Sequence, residues 1–299
     1  MTPPFPYAFE NYPLASATLY KVGGPARLAL VPRTRDEVIE AYTWMVKQPG
    51  PKLVLGGGSN VLIADEGYPG IVIFTNALTG IEELGPDRFY VEGGAVLDDL
   101  VRGVLIKNNY DGTGGLTGIP GSVGGAIYMN AGTVNGTICQ LMESVDVLLD
   151  GGVRTIPMDE SLYGYRGQTF CPPIGLIVGG TFVFRRAEKD QQGIYDHYID
   201  RRRKTQPPGN SCGSVFKNPP NDHAGRLIEA CKLKGTQRGG AVVSPMHANF
   251  IVNEGGATCA DILALIDVVK RTVNEQFGVQ LEEEVKIFGM RERDAARSA

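Results

Sequence analysis

The segment 118–132, reading GIPGSVGGAIYMNAG, constrains this chain more than any other part of it. Five glycines fall in fifteen residues, and between them stand Ile119, Val123, Ile127, Tyr128 and Met129, not the Ser, Lys or Glu of a surface linker. Glycine opens backbone conformations closed to other residues and lets main chain approach a flat or bulky body. The apolar side chains in between indicate that the segment is also buried. A tight turn inside a core meets both conditions, and so does one wall of a cofactor groove.

A second cluster, LGGGSNVL at 55–62, directly follows an expected strand at 52–55. Consecutive glycine amides can turn together toward an anion, with Ser59 and Asn60 supplying further donors. Two common nucleotide fingerprints do not apply. A P-loop ends in Gly-Lys-Ser/Thr, which is absent from the sequence, and a Rossmann fingerprint needs a third glycine where Val61 stands. Two glycine-rich, apolar loops about sixty residues apart are best explained as walls of one extended groove.

A net charge of −4 and a pI near 5.5 argue against a nucleic acid or a membrane surface as the main partner. Any anionic ligand must therefore be met by local basic groups. The N-terminal MTPPFPYAFE has neither a basic n-region nor a long apolar run, and no segment approaches the roughly 18 apolar residues of a membrane span, so a cytoplasmic protein is expected. Five scattered cysteines without CxxC, and three histidines away from ligand spacing, give no metal site.

Along the chain, strands are expected at 27–31, 52–55, 71–74, 89–92, 145–149, 176–184, 249–253 and 279–288. Thr34 with Glu37 forms a capping box for a helix that should stop before Pro49, and Trp44 on it reads as packing. Further helices are expected at 97–108, before the RRRKTQPPGN boundary, at 223–234 with Gly235 as its stop, and from a Thr258/Asp261 cap to Gly278. The class is α+β with several small sheets.

GGGSNVLIAD at 56–65 and GIPGSVGGAIYMNAG together resemble the FAD-binding half of the UDP-N-acetylenolpyruvoylglucosamine reductases, members of the vanillyl-alcohol-oxidase-like flavoprotein fold. Tyr165-Arg166, GSVFKNP at 213–219 and LEEEV at 281–285 match that family's other motifs in order, so the resemblance spans nearly all of residues 22–289. It implies two α+β FAD-binding subdomains, 1–75 (joined by a C-terminal strand within 279–299) and 76–200, and an α+β substrate-binding domain at 201–278. It also implies a reaction. NADPH reduces non-covalently bound FAD, which reduces the enolpyruvyl ether of UDP-N-acetylglucosamine to UDP-N-acetylmuramate for peptidoglycan, and hence for cell-wall growth, shape and division. A monomer is expected.

Hydride addition at the terminal vinyl carbon leaves negative charge on the adjacent carbon and its carboxylate, so the site needs a cation at the carboxylate and an acid for the carbon. By resemblance Ser214 is that acid, Arg166 holds the carboxylate, and Glu284 is the catalytic carboxyl of the closing strand. Cys212 is read as a neighbour that strand alternation turns the same way as Ser214. Lys217 and Asn218 match positions that touch the nucleotide sugar, with Lys217 near the diphosphate. The FAD set is Gly56, Gly57, Gly58, Ser59, Asn60 and Val61 from the first loop. The second loop adds Gly118, Pro120, Gly121, Ser122, Gly124, Gly125 and Ala126.

The chain departs from the family pattern at Gln168, where a serine is common two residues after the arginine. The 47 residues between Arg166 and Ser214 resemble the shorter form of the family, which lacks a tyrosine-bearing loop over the substrate. Arg201–Arg203 with Lys204 suits either phosphate or a solvated helix end, and His247 in SPMHANF reads as a buried structural histidine. Two other readings stay open: an oxidase of the same fold, although neither glycine loop carries a His or Cys to tether flavin, and a nucleotide-sugar-binding protein without turnover.

Overall fold

The computed structural model describes residues 3–150 and 152–289. The chain divides into two compact units. One takes residues up to 10, 28–57 and 70–202; the other takes 11–27, 58–69 and the chain from 203 onward.

Besides the two-stranded ribbons Gly132–Thr133 with Gly136–Thr137 and Tyr163–Gly164 with Gly167–Gln168, the first unit carries two sheets. In the smaller, the strands run in the order Ala8–Pro13, Pro25–Leu30, Tyr68–Phe74, Lys52–Leu55, with the last two parallel. The helix Arg35–Val46 begins at Thr34, whose Oγ1 accepts the Glu37 N–H at 3.2 Å; the other half of the expected capping box does not form, because the Glu37 carboxylate takes the Arg33 N–H at 2.6 Å. Its buried side, Val38, Ala41, Tyr42 and Met45, packs with Leu28, Leu30, Ile71 and Ile73 of the sheet. Trp44 meets Phe5 edge to face at 5.6 Å, a packing role. The larger sheet is five-stranded and antiparallel, ordered Gly152–Pro157, Met142–Leu149, Leu176–Val183, Arg88–Glu92, Ile81–Gly85. Its core sets Phe89, Val91, Val145, Val147 and Phe182 against Leu100, Val101 and Val104.

The second unit packs the 19-residue helix Cys259–Phe277 over the small sheet Gln237–Arg238, Ala241–Val243, Ile251–Asn253. The Thr258/Asp261 capping box opens this helix, and Gly278 closes it at φ 67°. A second device holds the same end. Asp65, the last residue of the first glycine motif, accepts the Cys259 N–H at 2.7 Å and the Ala260 N–H at 3.0 Å. A carboxylate there satisfies two orphan donors and opposes the helix dipole.

Several expectations need correction. The helix at 97–108 is present with the expected bounds, but its middle, Val101–Ile106, is π-helical and not α-helical. The helix expected at 223–234 is Ala224–Ala230, and it stops through Lys232 at φ 57° before Gly235 is reached. The closing strand is short, Lys286–Phe288, paired in parallel with Val61–Ile63, and residues 290–299 lie outside the described residues. The glycine-rich segment contains a short helix, Val123–Tyr128, whose two glycines and lack of polar periodicity hide it from pattern reading. Among the described residues, no helix is long and apolar enough to cross a membrane.

Candidate active site

Within the first unit the two glycine loops touch main chain to main chain. A Cβ on Gly56 would lie 2.3 Å from Ser122 Oγ, and one on Gly57 would lie 2.8 Å from Gly121 Cα and 3.1 Å from Ser122 N. A side chain at either position would strike the other loop, so glycine is what lets the two loops meet, and loops this bare of side chains fit a cofactor held by backbone groups. Ser122 caps the helix that follows, Oγ accepting the Gly125 N–H at 3.3 Å. The N–H groups of Val123 and Gly124 donate to Ala95 and Gly93 at 2.8 and 2.7 Å, and Leu97 N–H donates to Gly121 at 3.0 Å, pinning 121–124 to 93–97. Ser122 and Ala126 are buried and shape the loop, while Pro120 and Gly125 are exposed. Gly118 sits at φ 69° with Arg202 Cδ 2.6 Å from where a Cβ would stand.

The rest of the first loop belongs to the second unit. Gly58 has φ 61°, and a Cβ would lie 1.9 Å from Ala17 O. Ser59 is half-buried. Asn60 is not turned outward as a spare donor: its Nδ2 donates to the Glu284 carbonyl at 3.0 Å, and its own carbonyl accepts the Lys286 N–H at 3.0 Å. Val61 faces Lys286 in the parallel pair. The glycine motif and the LEEEV motif are thereby tied together.

The same unit brings Ser214 and Glu284 onto adjoining segments. Val215 O accepts the Glu284 N–H at 2.7 Å, Phe216 bridges Glu283, and Lys217 N–H donates to Glu282 O at 2.9 Å. Ser214 is half-buried, and among the described residues no hydrogen bond fixes its hydroxyl. Glu282 forms an ion pair with Lys217, and Glu283 pairs with Lys270 at 2.8 Å. Asn218 Oδ1 accepts the Ala224 N–H at 3.1 Å and so holds the start of the following helix.

Cys212 does not flank Ser214 in the way strand alternation suggested. Gly213, at φ 72°, breaks the extended chain between them. Cys212 is buried, its Sγ donates to Val61 O at 3.3 Å, and desolvation pushes its thiol up to about 12. It anchors the loop and is no acid. Burial lowers the His247 pKa, and its Nδ1 accepts the Asn249 N–H at 3.3 Å, which only an unprotonated Nδ1 can do.

Arg166 belongs to the first unit. It sits at φ 56° in the two-residue turn between Tyr163–Gly164 and Gly167–Gln168. Its Nη2 donates to Gly132 O at 3.1 Å, and its guanidinium lies 5.2 Å from the Tyr165 ring centroid. Sequence reasoning passed over Asn130, which holds this turn from below. Its Nδ2 donates to Gly164 O at 2.8 Å, and its Oδ1 accepts the Cys139 N–H at 3.3 Å. Its burial and its φ of 42° are visible only in the structure; the sequence offers no more than an asparagine at the end of the glycine-rich segment. Gln168 bonds both backbone groups of Cys171 at 2.7 Å.

A glycine-lined cradle over a mixed α+β scaffold defines a class, and residues 26–156 match the FAD binding domain family: this is an FAD-dependent oxidoreductase. Residues 204–288 match the C-terminal domain of UDP-N-acetylenolpyruvoylglucosamine reductase. The reductase of that name from Chloroflexus aggregans is 40% identical over 290 residues, covering 93% of this chain and 96% of the relative. The one from Bacillus subtilis is 38% identical over 287 residues, 93% of each. The crystal structure of the reductase from Thermus caldophilus superposes with a TM-score of 0.80 at 36% identity, covering 94% of this chain and 98% of that one. The chain belongs to the UDP-N-acetylenolpyruvoylglucosamine reductase family. Its reaction is the NADPH- and FAD-dependent reduction of UDP-N-acetylglucosamine enolpyruvate to UDP-N-acetylmuramate.

Proposed function

We propose that Ser214 donates the proton, Arg166 holds the substrate carboxylate and Glu284 supports the proton transfer. FAD, when bound, relays hydride from NADPH to the terminal vinyl carbon. The electron pair of the C=C bond then resides on the adjacent carbon and its carboxylate. Ser214 Oγ–H gives its proton to that carbon, so a double bond becomes two C–H bonds as NADPH becomes NADP⁺. A hydroxyl is a weak acid, but an enolate is basic enough for the transfer to run downhill. Arg166 meets the carboxylate with a planar, bidentate fork and offsets its charge. Glu284 assists when protonated or hydrogen-bonded to the acid.

The observation that carries this reading is the register setting Val215 against Glu284, which puts the hydroxyl-bearing and carboxyl-bearing segments side by side. Lys217 and Asn218 meet the nucleotide sugar, the lysine exchanging its Glu282 partner for diphosphate. Gly56–Gly58, Ser59, Asn60, Val61, Gly118, Pro120, Gly121, Ser122, Gly124, Gly125 and Ala126 line the FAD groove. Residues 1–75 with 279–299, together with 76–200, act as the FAD-binding subdomains, and 201–278 as the substrate domain. We read the enzyme as a cytoplasmic monomer.

The test is Ser214→Ala in anaerobic stopped flow. Flavin reduction by NADPH should persist, while reoxidation by substrate slows by roughly two to four orders of magnitude, the range for a general acid. Equal loss in both half-reactions would exclude Ser214 as the specific donor.

A further inference from the structure

We propose that Asn249 is a positioning residue that sets where the Ser214 hydroxyl stands. The inference rests on Ser214 as proton donor. Phe216 is 1% exposed, so its main-chain groups need protein partners. Asn249 supplies both: its Oδ1 accepts the Phe216 N–H at 3.0 Å and its Nδ2 donates to the Phe216 carbonyl at 2.8 Å. Its own carbonyl accepts the Val215 N–H at 2.8 Å. One side chain thus imitates a strand edge, and three bonds from one residue hold the two residues that follow Ser214.

On the other side of Ser214 the restraint is looser. Gly213 has nothing within 4 Å of its would-be Cβ, and the nearest anchor is the Cys212 thiol on Val61. The hydroxyl's position is therefore set from its C-terminal side, between Asn249 and the Glu284 N–H on Val215 O. Asn249 is itself rigid. It is 4% exposed, its N–H donates to His247 Nδ1, and the His247 ring packs 4.7 Å from that of Phe250. Aspartate has the right shape but no donor for the Phe216 carbonyl, and alanine has neither donor nor acceptor.

The test is a double-mutant cycle read on separate half-reactions. Asn249→Ala should keep its flavin and its rate of reduction by NADPH. Reoxidation by UDP-N-acetylglucosamine enolpyruvate should slow about 10- to 100-fold, the effect of misplacing a catalytic group by about an ångström. Asn249→Asp, which preserves volume, should show the same split. The decisive variant is Ser214→Ala/Asn249→Ala: it should be no slower than Ser214→Ala alone, because Asn249 acts through that hydroxyl. Independent, multiplying effects would overturn the proposal, as would normal reoxidation in Asn249→Ala or failure of both Asn249 variants to hold flavin. Ser214→Ala reoxidising at the wild-type rate would remove the proton-donor reading itself, and is seen before Asn249 is scored.

Discussion

Gly57→Ala tests the groove with a single methyl group. The new Cβ would stand 2.8 Å from Gly121 Cα and 3.1 Å from Ser122 N, where ordinary contact begins near 3.4 Å. Those neighbours are backbone, and 121–124 is pinned to 93–97 by three main-chain hydrogen bonds of 2.7–3.0 Å, so neither loop yields by a rotamer change. Overpacking of this kind costs about 1–3 kcal/mol. If the two loops wall the FAD groove, relieving that strain moves one wall away from the other, and the cost of restoring the arrangement that holds FAD weakens its binding by roughly five- to 150-fold, at 1.4 kcal/mol per tenfold. The assay is fluorescence titration of flavin-stripped protein with FAD. Gly103→Ala is the control: it lies on the helical stretch Val101–Ile106 with nothing within 4 Å of its Cβ position, and should leave FAD binding unchanged. Wild-type FAD affinity in Gly57→Ala would refute the argument that these loops jointly hold the cofactor.

Arg166→Lys should slow flavin reoxidation by substrate about 10- to 100-fold while sparing reduction by NADPH, because a point charge replaces the bidentate fork; an unaffected second step in stopped flow rules out the carboxylate clamp. Asp65→Ala removes acceptors from Cys259 and Ala260 and should destabilise by about 1–2 kcal/mol in denaturant melts, a typical cap loss; an unchanged midpoint removes Asp65 as a cap. Burial pushes the thiols of Cys139, Cys171, Cys212 and Cys259 up to about 12, so a disulfide reagent at pH 8 should leave these native thiols unreacted and label them on unfolding. The native state holds these protons more tightly than the unfolded chain, so their contribution to stability is intact below about pH 9 and falls as pH rises toward 12. Alkaline melts that show rising stability over that interval contradict the thiol burial.

Much of the fold was legible where a local rule acts alone. Thr34, Thr258 with Asp261, and Gly278 each announce a helix end by chemistry confined to one turn, and the structure uses all of them. What stayed hidden depends on partners distant in sequence. Asp65 reads as the end of a glycine motif until Cys259 is brought to it, 194 residues away. Asn60 reads as a free donor until Glu284 claims it across 224 residues. Asn249 and Asn130 look like ordinary polar residues, and only the burial of Phe216 and the approach of the Arg166 turn to Asn130 reveal why an amide, with both a donor and an acceptor, stands at each. The motifs named Ser214, Arg166 and Glu284; the structure adds the side chains that hold their segments in place.

The most direct test of the whole account is the visible spectrum of the purified protein, followed anaerobically as NADPH and then UDP-N-acetylglucosamine enolpyruvate are added. A flavin band should be present, bleach with NADPH and return with the sugar nucleotide. A band that bleaches and stays bleached would contradict the substrate, and a protein that shows no flavin even after FAD is supplied would contradict the reading of the glycine loops.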